Sequence, residues 1–175
     1  MTDSVWIYST RDPSNLGPAC RLVWGSHEVY ASVAAVRQTA EDLFTSAAYA
    51  ELIGELIRIG LPGGQTAQMV TSMIGARDTP YLGHKETLQV LPAGSTQRQC
   101  GVVLISKGSM RGQLDPGEAR AMGRTWLAAA EASEADTLFD RVLRRAGGLG
   151  DTELNALFDL LLDMRTGNPD IEDPI

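Results

Sequence analysis

The chain offers little chemistry, and what it has is poorly spaced. Only two histidines and two cysteines occur in its 175 residues. His27 stands next to Glu28 and His84 two positions from Glu86. In an extended segment neither carboxylate is placed to face its imidazole, so no general acid–base pair is expected. Cys20 and Cys100 have no second Cys or His at ligand spacing, so no metal site is expected. Two cysteines are also too few for a disulfide framework. Buried reduced thiols are the expectation, with a bond between the two predicted strands as the alternative. No Gly-x-Ser-x-Gly, His-Glu-x-x-His or Cys-x-x-Cys pattern is present. Leu61-Pro62-Gly63-Gly64-Gln65-Thr66 lacks the lysine of a phosphate loop. With Gly147-Gly148-Leu149-Gly150 it reads as a helix break. The expectation is no catalytic residue, no cofactor and no metal.

Charged side chains give two further candidates. Arg120, Arg124, Arg141, Arg144 and Arg145 form the densest cationic group. They either pair with Glu118, Glu131, Glu134 and Asp140 or make a site for an acidic partner. Arg77, Asp78, Tyr81 and His84 cluster at the joint between the two halves, where a small-molecule site could form.

Composition narrows the class. Net charge is −7, which repels phosphate backbones and anionic membranes and argues against nucleic acid as a partner. The longest apolar stretches fall far short of the ~20 residues of a bilayer-spanning helix. Met1-Thr2-Asp3-Ser4 lacks the basic start of a secretory signal, so a cytoplasmic location is the expectation.

The elements that must position any site follow from local patterns. Strands are expected over 5–10, 20–24, 28–30, 87–91, 101–105 and 110–114, with turns at Gly25-Ser26, Pro92–Thr96 and Lys107-Gly108. A long helix opens at Ser32 with Val33, Val36, Ala40, Leu43, Phe44 and Ala47 on one face, bends near Tyr49 and stops at Gly60. A short helix over 65–76 buries Met69, Val70, Met73 and Ile74. Asp115-Pro116-Gly117-Glu118 is a capping box for a second long helix. Its stripe runs through Ala119, Trp126 and Ala130, breaks over the polar residues 131–136, and resumes at Leu138, Phe139 and Val142. The last helix opens at Asp151 and is expected to be buried on more than one side. Trp6, Trp24 and Trp126 are expected in the core.

The two halves repeat. Cys20–Ser26 aligns with Cys100–Ser106, and each segment leads through a hairpin to a long and then a shorter helix. On that alignment the polar gap in the second long helix comes three residues late, as if three residues had been inserted. The expected fold class is α+β: two tandem β-β-β-α-α repeats, antiparallel strands covered by long amphipathic helices, with pseudo-two-fold symmetry. The expected boundaries are 1–82, 83–166 packed on it, and an acidic tail over 167–175 that stays unstructured unless it docks on a partner.

Gly101 to Glu134 carries Val102-Val103-Leu104-Ile105, then Gln113-Leu114-Asp115-Pro116-Gly117-Glu118-Ala119-Arg120, then Leu127-Ala128-Ala129-Ala130-Glu131-Ala132. This stretch, about a fifth of the chain, resembles hairpin-plus-helix modules in small uncharacterised proteins of actinobacteria and their phages. The resemblance implies a bacterial or phage accessory protein and carries no catalytic residue. The first repeat departs from it, because Ser32-Val33-Ala34-Ala35 lacks the Asp-Pro-x-Glu cap. The leading expectation is a non-enzymatic protein–protein interaction or assembly protein, whose partner could be a second copy of itself. The alternatives are an acidic nucleic-acid mimic and a small-molecule enzyme or binder at the junction.

Overall fold

Two antiparallel sheets and four helices make an α+β architecture. A computed structural model describes residues 5–14, 17–75, 82–83, 87–95, 97–146 and 149–166. The first sheet is the meander β1 (Val5–Arg11), β2 (Pro18–Trp24), β3 (His27–Ser32). Helices α1 (Val33–Arg58) and α2 (Gly63–Gly75) follow. The second sheet has the order β4 (Leu82–Gly83), β5 (Gln89–Ser95), β6 (Cys100–Lys107), β7 (Met110–Leu114). It leads into α3 (Pro116–Ala146) and α4 (Asp151–Thr166). Among the described residues, no helix is long and apolar enough to cross a membrane.

Local chemistry explains most boundaries. Both tight hairpins turn at a glycine with φ of 58°, Gly25 and Gly108, a conformation L side chains avoid. Ser32 caps α1 by accepting from the Ala35 N–H. Asp115 and Glu118 close the expected capping box, each accepting the other's backbone N–H at 2.7 Å.

Several expectations need correcting. β5 continues through Pro92 to Ser95 instead of turning there. Its outer neighbour β4 pairs only with Gln89 and Val90, so the N–H that Pro92 lacks is not needed. Both long helices are continuous, α1 past Tyr49 and α3 through 131–136, as a single helix for each stripe allows. The polar stretch of α3 lies where the helix crosses the ends of β1 and β2. Buried Ser133 puts its Oγ 2.9 Å from Thr10 O and 2.8 Å from Ala19 O, within reach of both carbonyls. Leu138, Phe139 and Val142 are exposed. Met69 is exposed although Val70 is buried. In helix α4 Leu154 is enclosed, whereas Leu160 and Met164 face outward.

The long helices do not cover the strands they follow. α1 packs mainly on β5 and β6, and α3 mainly on β1 and β2. The two helices also pack along each other. A methyl group built on Gly123 would sit 3.3 Å from Ala40 O. At the α1–β6 crossing the backbones touch: a methyl group on Gly101 would sit 1.6 Å from Ala50 O. A shared apolar core results, with Leu22 and Trp24 beside Val36, Leu43, Val103 and Trp126, and a smaller cluster of Ile53, Ile57 and Val70 joins α1 to α2.

The sheets share their registers at a fixed offset. Adding 83 residues (108 − 25, from the turn glycines) to both members of a β1–β2 or β2–β3 pair gives a β5–β6 or β6–β7 pair, except for the end pairs Val5↔Trp24 and Ala19↔Ser32. Trp6↔Val23 becomes Gln89↔Ser106, and Cys20↔Ala31 becomes Val103↔Leu114.

Candidate functional site

A cleft forms between the two sheets. β1 ends the first sheet and β7 ends the second, and together they wall a cleft of about 630 Å³. Its walls are the consecutive residues Val5–Ile7 and Met110–Leu114. Successive strand residues point to opposite faces, so a cavity that touches a consecutive run touches the backbone edge itself. Trp24, Ile105, Met122 and Trp126 also line it and supply an apolar surface. Its charged lining residues are Arg111 and Glu118. The Glu118 carboxylate is held by the cap of α3. Arg111 donates to the Gly108 and Met110 carbonyls and has no carboxylate partner among the described residues.

All three tryptophans of the chain line this one cleft. Trp24 and Trp126 are buried as expected, but Trp6 is 57% exposed, which corrects its assignment to the core. Val5 and Ile7 take the core side of β1, so Trp6 between them points the other way. The alternation Val5-Trp6-Ile7-Tyr8 was the signal in the sequence for this.

A second cavity of about 430 Å³ lies between β1, α3 and α4. Arg11 lies in it, 4.1 Å over the Phe158 ring and 3.3 Å from Asp140. Its Nη2 is buried and not aligned for a hydrogen bond. Phe158 also meets Phe139 edge to face at 6.4 Å, so this cluster ties α4 to the rest of the molecule.

The five arginines singled out in the sequence do not converge. Arg120 grips Glu51 of α1 through two hydrogen bonds of 2.5 and 2.7 Å. Arg144 bridges Asp140 and Asp151. Arg124, Arg141 and Arg145 are exposed. Arg120 and Arg144 are separated by about 36 Å along one helix, at 1.5 Å per residue. The joint residues Arg77, Asp78, Tyr81 and His84, like the tail over 167–175, lie outside the described residues. His27 is exposed at the start of β3. No group of three or more His, Cys, Asp or Glu could hold a metal ion among the described residues.

Both cysteines are free. Cys20 is fully buried, and burial pushes its thiol up to about 12, against a small lowering by Arg37. Cys100 is half-buried at the start of β6. A thiol reagent at pH 8 should therefore label one cysteine of the native protein promptly and the second only in denaturant. Prompt labelling of both would show that β2 opens readily.

Comparison with protein-family models, curated proteins and solved structures finds no match for this chain.

Proposed function

We propose that the protein is a non-enzymatic protein-binding module that takes its partner in the cleft between β1 and β7. In this reading the module consists of two copies of one β-β-β-α-α unit, residues 1–82 and 83–166, related by a pseudo-two-fold axis. The observation that carries the binding reading is Trp6, exposed on a strand edge at the mouth of a cleft behind which Trp24 and Trp126 are buried in the core. Exposed tryptophan beside an apolar floor is the composition of a binding hot spot.

The duplication is supported by more than strand register. Arg37 binds Glu134 through two hydrogen bonds of 2.8 and 2.7 Å. Adding 83 turns Arg37 into Arg120 and Glu51 into Glu134, so this pair and the Arg120–Glu51 pair are images of each other. Ala40 and Gly123 are also 83 apart and touch, as a two-fold relation passing through that crossing would require. The N-caps Ser32 and Asp115 fit the same offset. Cys20 then matches Val103, and the three-residue insertion expected from aligning Cys20 with Cys100 disappears.

A bacterial or phage accessory role, as a host-protein inhibitor or a particle component, suits such a module. A nucleic-acid mimic needs a face of unpaired carboxylates. Here Glu51, Glu134, Asp140 and Asp151 are each matched by an arginine. A small-molecule binder is the second reading, because the cleft volume falls in the usual range of about 300–1,000 Å³ for such sites.

The test is affinity capture with the wild-type chain and Trp6→Ser. Trp6 is largely exposed, so the variant should keep its fold by circular dichroism. The reading expects a partner retained by the wild type at least about tenfold better than by the variant, since such anchors contribute about 2 kcal/mol or more. Equal retention by both, or no retained partner, would contradict it.

A further inference from the structure

We propose that the β1–β7 cleft accepts an extended segment of the partner, which pairs as an antiparallel strand with β1. This deepens the binding reading above and rests on it.

β1 and β7 are terminal strands of their sheets, and neither pairs with a further strand among the described residues. Both present edges to the cleft, and a free strand edge is a row of backbone donors and acceptors ready for another chain. An apolar surface under such an edge favours a strand whose side chains alternate between apolar and polar.

The molecule already contains an example. With the 83-residue offset, β1 corresponds to β5. The edge of β5 facing away from β6 is occupied: β4 lies along it antiparallel, with Leu82 opposite Val90 and Gly83 opposite Gln89. Subtracting 83 places the same contact opposite Ile7 and Trp6. The helix residues agree. Met122, Thr125 and Trp126 of α3 line the cleft. Their counterparts Thr39, Asp42 and Leu43 lie on α1, the helix that packs against β4 and whose Thr39 hydroxyl meets that of Thr87. The chain supplies its own added strand on one side of the axis. The matching edge of β1 offers the same place to an antiparallel strand.

Charge narrows the ligand. Glu118 keeps its charge while accepting the Asp115 N–H at the helix cap, and Arg111 on β7 has only carbonyl partners among the described residues, so an acidic group of the ligand is best met at β7, away from Glu118. The preferred segment carries an acidic residue beside β7. Its length is about five residues, that of β7, or roughly 17 Å extended. Proline fits poorly because it removes ladder hydrogen bonds.

The experiment selects random ten-residue peptides on the full-length protein, with Trp6→Ser as the counter-selection. The winners are then resynthesised, with and without N-methylation of alternate amides. The proposal expects alternating, proline-poor winners with an acidic residue. Their affinity should fall at least tenfold on N-methylation and severalfold against Arg111→Glu. Their binding should slow amide exchange in β1 and β7. Winners with helical spacing, winners indifferent to N-methylation, or the absence of any winner would overturn it. Winners that depend on Trp6 but ignore N-methylation would sink the strand mode and leave the cleft reading intact. Winners that ignore Trp6 would sink both.

Discussion

Replacing Gly101 with valine should destabilise the protein by about 3 kcal/mol or more, lowering Tm by roughly 6–12 °C for a chain of this size. The reason is the contact between α1 and β6. The first atom of any side chain at this position would lie 1.6 Å from Ala50 O and 2.5 Å from Ala50 C. These are backbone atoms in the middle of a helix, so no rotamer change relieves the overlap. Either β6 must leave α1 or the turn of helix around Ala50 must deform. Gly54 on the same helix shows how tight the crossing is, since a methyl group there would lie 3.2 Å from Gly101 N. Gly64→Ala is the control. Nothing lies within 4 Å of that position in α2, so the change should be neutral or stabilise by up to about 1 kcal/mol. Thermal or urea denaturation of the two variants beside the wild type checks the contrast. A Gly101→Val protein as stable as wild type would mean that α1 does not cross β6 here.

The larger effect should come from cutting the chain. Because α1 covers β5 and β6 while α3 covers β1 and β2, each half alone would leave its sheet without most of its cover. The buried residues on the first sheet, Cys20, Leu22 and Trp24, belong to the same cluster as Val103, Ile105 and Trp126. A three-stranded meander with one apolar face open to water does not hold together at about 80 residues when its covering helix belongs to another piece. Residues 1–82 and 83–175 should each be largely unfolded alone and should recover structure when mixed. The ion pairs along the helix–helix contact would add specificity more than stability, because Arg37, Glu51, Arg120 and Glu134 are all substantially exposed. The Glu51 carboxyl is held below its ordinary value by its hydrogen bonds to Arg120. Its contribution is present above the unfolded value near 4.5 and is lost as pH falls through the lower folded one.

Much of this architecture could be read locally. Gly25 and Gly108 marked hairpins because a left-handed turn residue is a local demand, and Asp115-Pro116-Gly117-Glu118 marked a helix start for the same reason. The inward face of α1 followed from spacing alone: Val33, Val36, Ala40, Leu43 and Ala47 are all buried. What could not be read depended on which element lies against which. The spacing of Leu138, Phe139 and Val142 gives a stripe whether or not anything covers it, and here they stay exposed. Pro92 looked like a turn because the sequence does not show that, among the described residues, no strand pairs with its outer edge. The small polar residues around Ser133 looked like a break because a close helix–sheet crossing and a loop draw on the same residue types. The cleft was hidden for a similar reason. It lies between two strand edges more than a hundred residues apart, and no pattern within either strand records that they meet. Only the out-of-phase Trp6 hinted at it.

The account rests most heavily on the exchange of helices between the two sheets. The direct measurement is far-ultraviolet circular dichroism with two-dimensional amide spectra of 1–82 alone, 83–175 alone, and both at equal concentration. The account predicts collapsed, poorly dispersed spectra for each piece and a dispersed, helical and strand-containing spectrum for the mixture. Two pieces that are each folded and dispersed alone, and unchanged on mixing, would contradict it.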